Sequence, residues 1–401
     1  MKRVLSSWRK NIFNHPYTLR NSVEWIQSGK KYYDRLEELI DLSRFEIHLQ
    51  TYIFISDETG NRIAEALIRA AKRNIRIFLL LDAYGSQGLS SAMIHRFKET
   101  GINFKKYGEI FSKGRFHIGR RMHHKIIVID GQISVVGGIN VSDNYNDTPD
   151  SPAWLDFAVI MEGDISRRLQ YICRRRWIGW HFSYMSKKDL LINTQSEKIN
   201  SGYFPIRIRR NDFIRYRNDI AISYREAFRR SEKSIILVGG YFLPGGRTRR
   251  LMRKATLRGV KISVIVSEKS DVKILVNARR YLYAWLIRNK IDVYEYKLSN
   301  VHGKVIIVDE TWTSIGSFDL NNLSTYSNIE LNVDINEPNF SADLAKHIQK
   351  IMAADCIKLD NNKVLMKKTF LYKFAMWFSY RFVKTLFVLS VLLAGRKEKE
   401  F

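Results

Sequence analysis

The sequence predicts an α/β protein made of two similar domains in one chain, and three observations carry that reading. A chain of 401 residues exceeds one ordinary domain and suits two of roughly 150 to 200 residues, each able to bury a core. Strand-like apolar runs alternate with helical patterns, and the order occurs twice. Finally, "HHKIIVIDGQISVVGGIN" at residues 123 to 140 returns as "HGKVIIVDETWTSIGSFD" at residues 302 to 319. His123 and His302, Lys125 and Lys304, Asp130 and Asp309, and Gly137 and Gly316 all lie 179 residues apart. A repeat in register at four positions implies two like domains facing each other across a pseudo-two-fold axis.

The elements follow in chain order. Residues 1–27 form a basic, aromatic arm, "MKRVLSSWRKNIFNHPYTLRNS" and beyond, without the continuous apolar core of a secretory leader. The chain is therefore expected to stay on the cytoplasmic side. The first domain, residues 28–185, offers "FEIHLQTYIFI" as a strand, "GNRIAEALIRAAKRN" as a helix and "IRIFLLLDAYG" as a buried strand, before the first His-x-Lys strand. Residues 186–202 are a polar linker. In the second domain, residues 203–360, the order returns as "KSIILVGGYFLP", "RTRRLMRKATLRGV" and "KISVIVSEKSD". Residues 361–401 are a basic, aromatic tail interrupted by Lys373, Arg381 and Lys384. Its uncharged run from Thr385 to Gly395 falls short of the roughly 20 residues that a spanning helix needs. The tail reads as a helix lying in the membrane interface, with its cations at the headgroups. The competing reading is a helix packed on the second domain.

Composition narrows the function. With 45% hydrophobic residues and only 6 prolines, nothing reads as disordered. Cys173 and Cys356 form no Cys-x-x-Cys or Cys/His set, which indicates a reducing compartment and no zinc site. The balance of 67 Lys and Arg against 40 Asp and Glu leaves +27, a field that attracts nucleic acid or an anionic bilayer. Charge does not choose between them.

Spacing supplies the chemistry. Residues i and i+2 of a strand share a face, so His123 projects with Lys125, and His302 with Lys304. Two such pairs brought together provide a nucleophile, a general acid and positive charge between them, which is what displacement at phosphorus requires. One half cannot supply both imidazoles. The turns "GGIN" and "GSFD" would let backbone approach phosphate oxygens. Asp130 and Asp309 have the opposite strand parity and more naturally hold the local fold, and His124 points away from Lys125.

These stretches resemble the paired HKD motifs (His123, Lys125, Asp130; His302, Lys304, Asp309) of the phospholipase D superfamily, over residues 28 to 358. Segments such as "RRMHHKIIVIDG", "WLDFAVIMEG", "YFLP" and "VHGKVIIVD" are similar to bacterial cardiolipin synthases of that type. The resemblance implies two phospholipase D-like domains, each a mixed sheet flanked by helices, arranged as a pseudo-two-fold dimer. It implies transfer of a phosphatidyl group through a phosphohistidine, without metal or other cofactor. Two phosphatidylglycerol molecules would give cardiolipin and glycerol, with His123 as nucleophile and His302 as acid and base. It also implies that Asp156 and Glu330 hold the imidazole tautomers, and that Gly138, Asn140, Ser317 and Asp319 bind substrate. Anionic phospholipids and the cell membrane's cytoplasmic surface are the expected partners, nucleic acid is not, and the oligomeric state stays open.

The second turn departs from the family pattern, GSxN followed by Leu-Asp: Asp319 stands where Asn is expected and Asn321 where Asp is expected. An ionised Asp319 would repel a phosphate unless turned away or protonated, and the exchange keeps the polar set on one face if the segment is extended. Alternative functions are a hydrolytic phospholipase D, a phosphodiesterase or nuclease, and a catalytically idle lipid-binding scaffold. All four His and Lys residues are present, which argues against the last.

Overall fold

The computed structural model describes residues 16–109, 111–112, 115–116, 120–179, 202–212, 217–269, 273–321, 324–325, 328–360 and 370–396. The linker, residues 1–15 of the arm and both ends of the tail therefore lie, wholly or almost so, outside the described residues.

The first half contains β1 (Thr18–Gln27), α1 (Lys30–Asp41), β2 (Glu46–Thr51), α2 (Glu58–Lys72), β3 (Arg76–Asp82), α3 (Ser91–Glu99), β4 (Asn103–Tyr107), the small hairpin β5 (Phe111–Ser112) and β6 (Arg115–Phe116), β7 (Lys125–Ile129), β8 (Ile133–Gly137), β9 (Phe157–Gly163) and α4 (Asp164–Ile178). The second contains β10 (Tyr203–Asp212), β11 (Arg217–Asn218), α5 (Asp219–Arg230), β12 (Ser234–Gly239), α6 (Gly246–Leu257), β13 (Lys261–Ser267), α7 (Lys273–Arg288), β14 (Ile291–Tyr296), β15 (Lys304–Val308), β16 (Trp312–Gly316), β17 (Glu330–Ile335), α8 (Pro338–Asp355), β18 (Cys356–Lys358) and α9 (Phe370–Arg396). Local rules explain their limits. Asp57 caps α2 by accepting from Gly60 N at 2.8 Å, and Ile63, Leu67 and Ala70 bury the inner face. The run "KIIVI" of β7 is buried on both faces, so it shows no polar alternation.

One mixed sheet runs through both halves, in the order β4-β3-β2-β7-β8-β9-β1-β10-β17-β16-β15-β12-β13-β14-β18, with β11 pairing off β10. Outward from the seam between β1 and β10, each half gives a run of antiparallel strands and then three parallel ones, and the second half adds β18 antiparallel to β14. This is the duplication that the spacing of 179 predicts. An apolar core containing Ile126, Phe157 and Val159 from one half and Val305, Ile307 and Leu331 from the other spans the seam, so the halves are packed as one body.

The arm is corrected by the structure. Thr18–Gln27 is not an appendage but β1, antiparallel to β9 on one side and to β10 on the other. Its polar sequence hides this, because its central place comes from backbone pairing on both edges. The buried Asn21 contributes by donating to Thr18 O at 2.9 Å and Phe204 O at 2.8 Å.

Candidate active site

The two His-x-Lys motifs stand at the starts of β15 and β7, and the seam brings them together. Met122, just before His123, bridges Ile329, just before Glu330; Val301, just before His302, bridges Leu155, just before Asp156. His123 N donates to Ile329 O at 3.0 Å, and His302 N to Leu155 O at 2.8 Å. The imidazoles are consequently held crosswise. His123 Nδ1 lies 3.0 Å from Glu330 Oε2, and His302 Nδ1 lies 2.6 Å from Asp156 Oδ2. Each histidine takes its carboxylate from the opposite half.

The two pairs differ electrically. Burial alone would raise Glu330, but the charge and hydrogen bond of His123, the Ser317 hydroxyl and Lys125 outweigh it and hold the carboxyl below its ordinary value. Burial pushes Asp156 up to about 7, against the pull of Lys304 and Lys125. Burial, with the charges of Lys304 and Lys125, holds His302 well below the ordinary imidazole value. One pair thus has an ionised carboxylate placed to accept from His123 Nδ1–H, so the neutral form of that ring carries its lone pair on Nε2. The other favours a neutral carboxyl beside a neutral imidazole, so near neutral pH it can keep a proton on His302 Nε2.

Each lysine bonds back to its own motif. Lys125 Nζ donates to His123 O at 2.7 Å, and Lys304 Nζ donates to His302 O. Burial and the neighbouring Lys304 bring Lys125 down to about 7. Aromatic rings that the sequence reading did not name wall the site. Tyr52 meets His123 edge to face at 5.0 Å, and Tyr145 meets His302 at 5.1 Å, with Trp154 at 6.2 Å and Tyr241 at 6.3 Å. An available signal was the aromatic just beyond β2 and β12, in "TYIF" and "GYFLP".

Other expected site residues turn inward. Asn140 is fully buried: its Oδ1 accepts from Ile53 N at 3.1 Å, and its Nδ2 donates to the Tyr145 hydroxyl at 2.7 Å. It supports the ring beside His302, not a substrate. A Cβ on Gly138 would sit 2.4 Å from Asp156 Oδ1, so glycine here makes room for that carboxylate. Its repeat counterpart Ser317 donates to Glu330 Oε2 at 2.5 Å. Both residues position carboxylates. Asp319 faces the site as an ion-pair partner, 3.5 Å from Lys304 Nζ, which offsets its charge. Asn321 does not complete a shared polar face: it accepts from Ser324 N at 2.9 Å and donates to Tyr241 O at 3.3 Å. His124 is buried away from the site, 2.9 Å from Gln50 Oε1.

Asp130 and Asp309 stand at the far ends of β7 and β15 and do not join the histidines. Asp130 accepts from Arg44 N, Phe45 N and Glu46 N, each at 2.8 Å. Asp309 accepts from Glu232 N, Lys233 N and Ser234 N at 2.7–2.9 Å. Both take left-handed φ values, 53° and 52°, in tight turns where Asp is tolerated. Placing either among catalytic groups is corrected accordingly. Asp130→Ala is expected to cost roughly 2–4 kcal/mol of stability in urea unfolding, because three backbone donors lose a charged acceptor. Turnover per folded molecule stays within about twofold. A hundredfold fall in kcat at unchanged stability would restore a catalytic role.

Comparison with known proteins agrees with this architecture. Residues 36–151 and 224–352 match the family described as cardiolipin synthase, PLD-like domain. The chain is 31% identical to cardiolipin synthase B of Escherichia coli (strain K12) over 376 residues, 90% of this chain and 86% of that relative. Cardiolipin synthase B of Salmonella typhi is 32% identical over 360 residues, 87% of this chain and 84% of the relative. Among solved structures, phosphatidylserine synthase of Haemophilus influenzae Rd KW20 aligns over 97% of this chain and 99% of its own, with a TM-score of 0.72 and 13% identity, a likeness of fold.

Proposed function

The chain belongs to the family of cardiolipin synthase PLD-like domains, and from that premise we propose that it joins two phosphatidylglycerol molecules into cardiolipin and releases glycerol, through a phosphohistidine on His123. The observation that carries the mechanism is the crossed pairing of His123 with Glu330 and of His302 with Asp156.

Two balanced steps follow. His123 Nε2 attacks the donor phosphorus, the bond from phosphorus to the glycerol oxygen breaks, and His302 Nε2–H protonates that oxygen as glycerol leaves. The hydroxyl of a second phosphatidylglycerol then gives its proton to His302 while its oxygen attacks phosphorus. The phosphorus–nitrogen bond breaks, and cardiolipin departs. Lys125 and Lys304 supply positive charge to the non-bridging oxygens in both steps. Incubation with phosphatidylglycerol vesicles should yield cardiolipin and free glycerol in equal amounts. Phosphatidic acid as the sole lipid product would make the protein a hydrolase.

The reading includes a place at the cytoplasmic surface of the cell membrane, where the unpaired Cys173 and Cys356 remain thiols. No helix among the described residues is long and apolar enough to cross a membrane. One face of α9 packs on the second domain, and the interface reading of the tail rests on the other. Met376, Ser379 and Val383 are buried, and Tyr380 stacks on Tyr281 of α7 at 4.8 Å. The opposite face leaves Phe374, Phe378 and Phe382 exposed by 52%, 52% and 43%, stacked in a row. Such a row beside Lys373 and Arg381 suits the headgroup boundary. Changing the three phenylalanines to Ser should weaken binding to anionic vesicles by roughly 100-fold, at about 1 kcal/mol for each half-exposed ring. Turnover of a short-chain soluble substrate should hold. Equal loss on both substrates would identify the face as structural.

A further inference from the structure

A second pocket lies at the seam beside His302. It has a volume of about 210 Å³ and is lined by Trp154 and Ser151 from the first half and by Lys269, Lys297, Ser299 and Asn300 from the second. Trp154 belongs to both places, since its ring is 6.2 Å from the His302 ring. The pocket wall is tied to the site by backbone: Leu155 N donates to Asn300 O at 2.8 Å, and Ser299 Oγ donates to Ala153 O at 2.6 Å. Lys269 and Lys297 follow the carboxyl ends of the parallel strands β13 and β14, the end at which open α/β sheets bind ligands. Among the described residues neither ammonium forms a salt bridge, and the described lining has no carboxylate.

The His123 face differs. Its recess is about 40 Å³ and is lined by Arg175, Arg176 and Arg210 together with Asp212, which is paired with Arg120 and lies 3.8 Å from Arg176. The duplication has thus left a small recess filled by three arginines and a carboxylate on the side of the proposed nucleophile, and a roomier pocket with two lysines on the side of the proposed acid and base.

The reaction needs such an asymmetry. Attack by His123 places both the departing glycerol and the incoming hydroxyl on the His302 side. The two occupants differ in one respect: the acceptor's glycerol ends in a phosphodiester, whereas the departing glycerol ends in a hydroxyl. Three carbons and two oxygens separate the two phosphorus atoms of the product. A cationic pocket that shares Trp154 with His302 can therefore distinguish the acceptor lipid from free glycerol and from water.

We propose that this pocket binds the phosphodiester of the acceptor lipid, with Lys269 and Lys297 as its cations, so that it selects lipid synthesis over glycerol exchange. The proposal rests on the phosphatidyl-transfer reading above. Two reactions of the full chain on the same vesicles separate the roles. Cardiolipin formation needs the acceptor phosphate, whereas incorporation of labelled glycerol into phosphatidylglycerol uses the same donor and histidines without it. In the Lys269→Gln, Lys297→Gln double variant, the apparent KM for lipid acceptor should rise about tenfold or more. Glycerol exchange and vesicle binding should change less than twofold, and Lys→Arg at both positions should restore synthesis.

Unchanged synthesis in the Gln variant overturns the proposal. So does a parallel fall of synthesis, exchange and vesicle binding, which would reveal a general membrane-binding patch. A wild-type protein that exchanges glycerol but forms no cardiolipin overturns the underlying reading and the proposal with it. That failure is distinguishable because it is present before any lysine is changed.

Discussion

His123→Ala abolishes both turnover and any phosphatidyl-enzyme, a loss expected to reach about 10⁴-fold or more, since the proposed nucleophile acts in a unit with its partners. The variant retains His302, yet that imidazole is no substitute. Glu330 is the ionised carboxylate that frees a lone pair on its histidine, whereas Asp156 is held near neutrality and favours a protonated Nε2 on His302. His302→Ala should slow both formation and breakdown of the intermediate. Where breakdown suffers more, as with a poor acceptor, a phosphatidyl group accumulates on His123. Rapid acid quenching with labelled donor and peptide mapping reads the site directly. Label on His302 in the His123→Ala protein would reverse the roles, and label on neither histidine in any variant would favour a single displacement.

The second large effect is a divergence of activity and stability at Asp156. In the fold this carboxyl titrates at about 7, well above the roughly 4 of an unfolded chain. The folded state therefore binds the proton more tightly, and Asp156 lowers stability progressively as pH rises from about 4 to about 7, with the full loss above that range. Asn carries no such proton and can still donate to His302 Nδ1. Asp156→Asn is thus expected to lower kcat by about 10²–10⁴-fold through loss of proton storage on the His302 pair. The same variant should be more stable than the wild type at pH 8, with the advantage shrinking toward pH 4. Urea unfolding at the two pH values gives the check. An equal offset at both would mean that Asp156 titrates as an ordinary carboxylate, and unchanged kcat would remove its role.

What the chain discloses before folding follows from which facts are local. The strand "KIIVI", the alternation of helix and strand and the in-register recurrence of His and Lys are properties of short stretches, so the two-domain α/β class and all four central side chains are legible. The crossing of the carboxylates is not. Asp156 follows the first motif in the sequence and nothing local assigns it to His302; packing of Leu155 on Val301 does so. Asn140 and Ser317 look like substrate ligands because they are small and polar beside glycine. Their inward bonds to Tyr145 and Glu330 depend on elements distant in the chain or beyond the turn. β1 is hidden because its burial is a matter of backbone pairing, which leaves no apolar signature in "TLRNSVEWIQ".

The crossed pairing also sets a schedule for biosynthesis. His123 and Glu330 are 207 residues apart, and His302 and Asp156 are 146 apart. At about 5–20 residues per second on the ribosome, the first histidine emerges roughly 10–40 s before the carboxylate that tunes it. A nascent chain, or one truncated before β17, carries the first HKD motif without the carboxylate that pairs with His123. The dyads can form only once the second half has been made, so the unfinished polypeptide lacks the complete site.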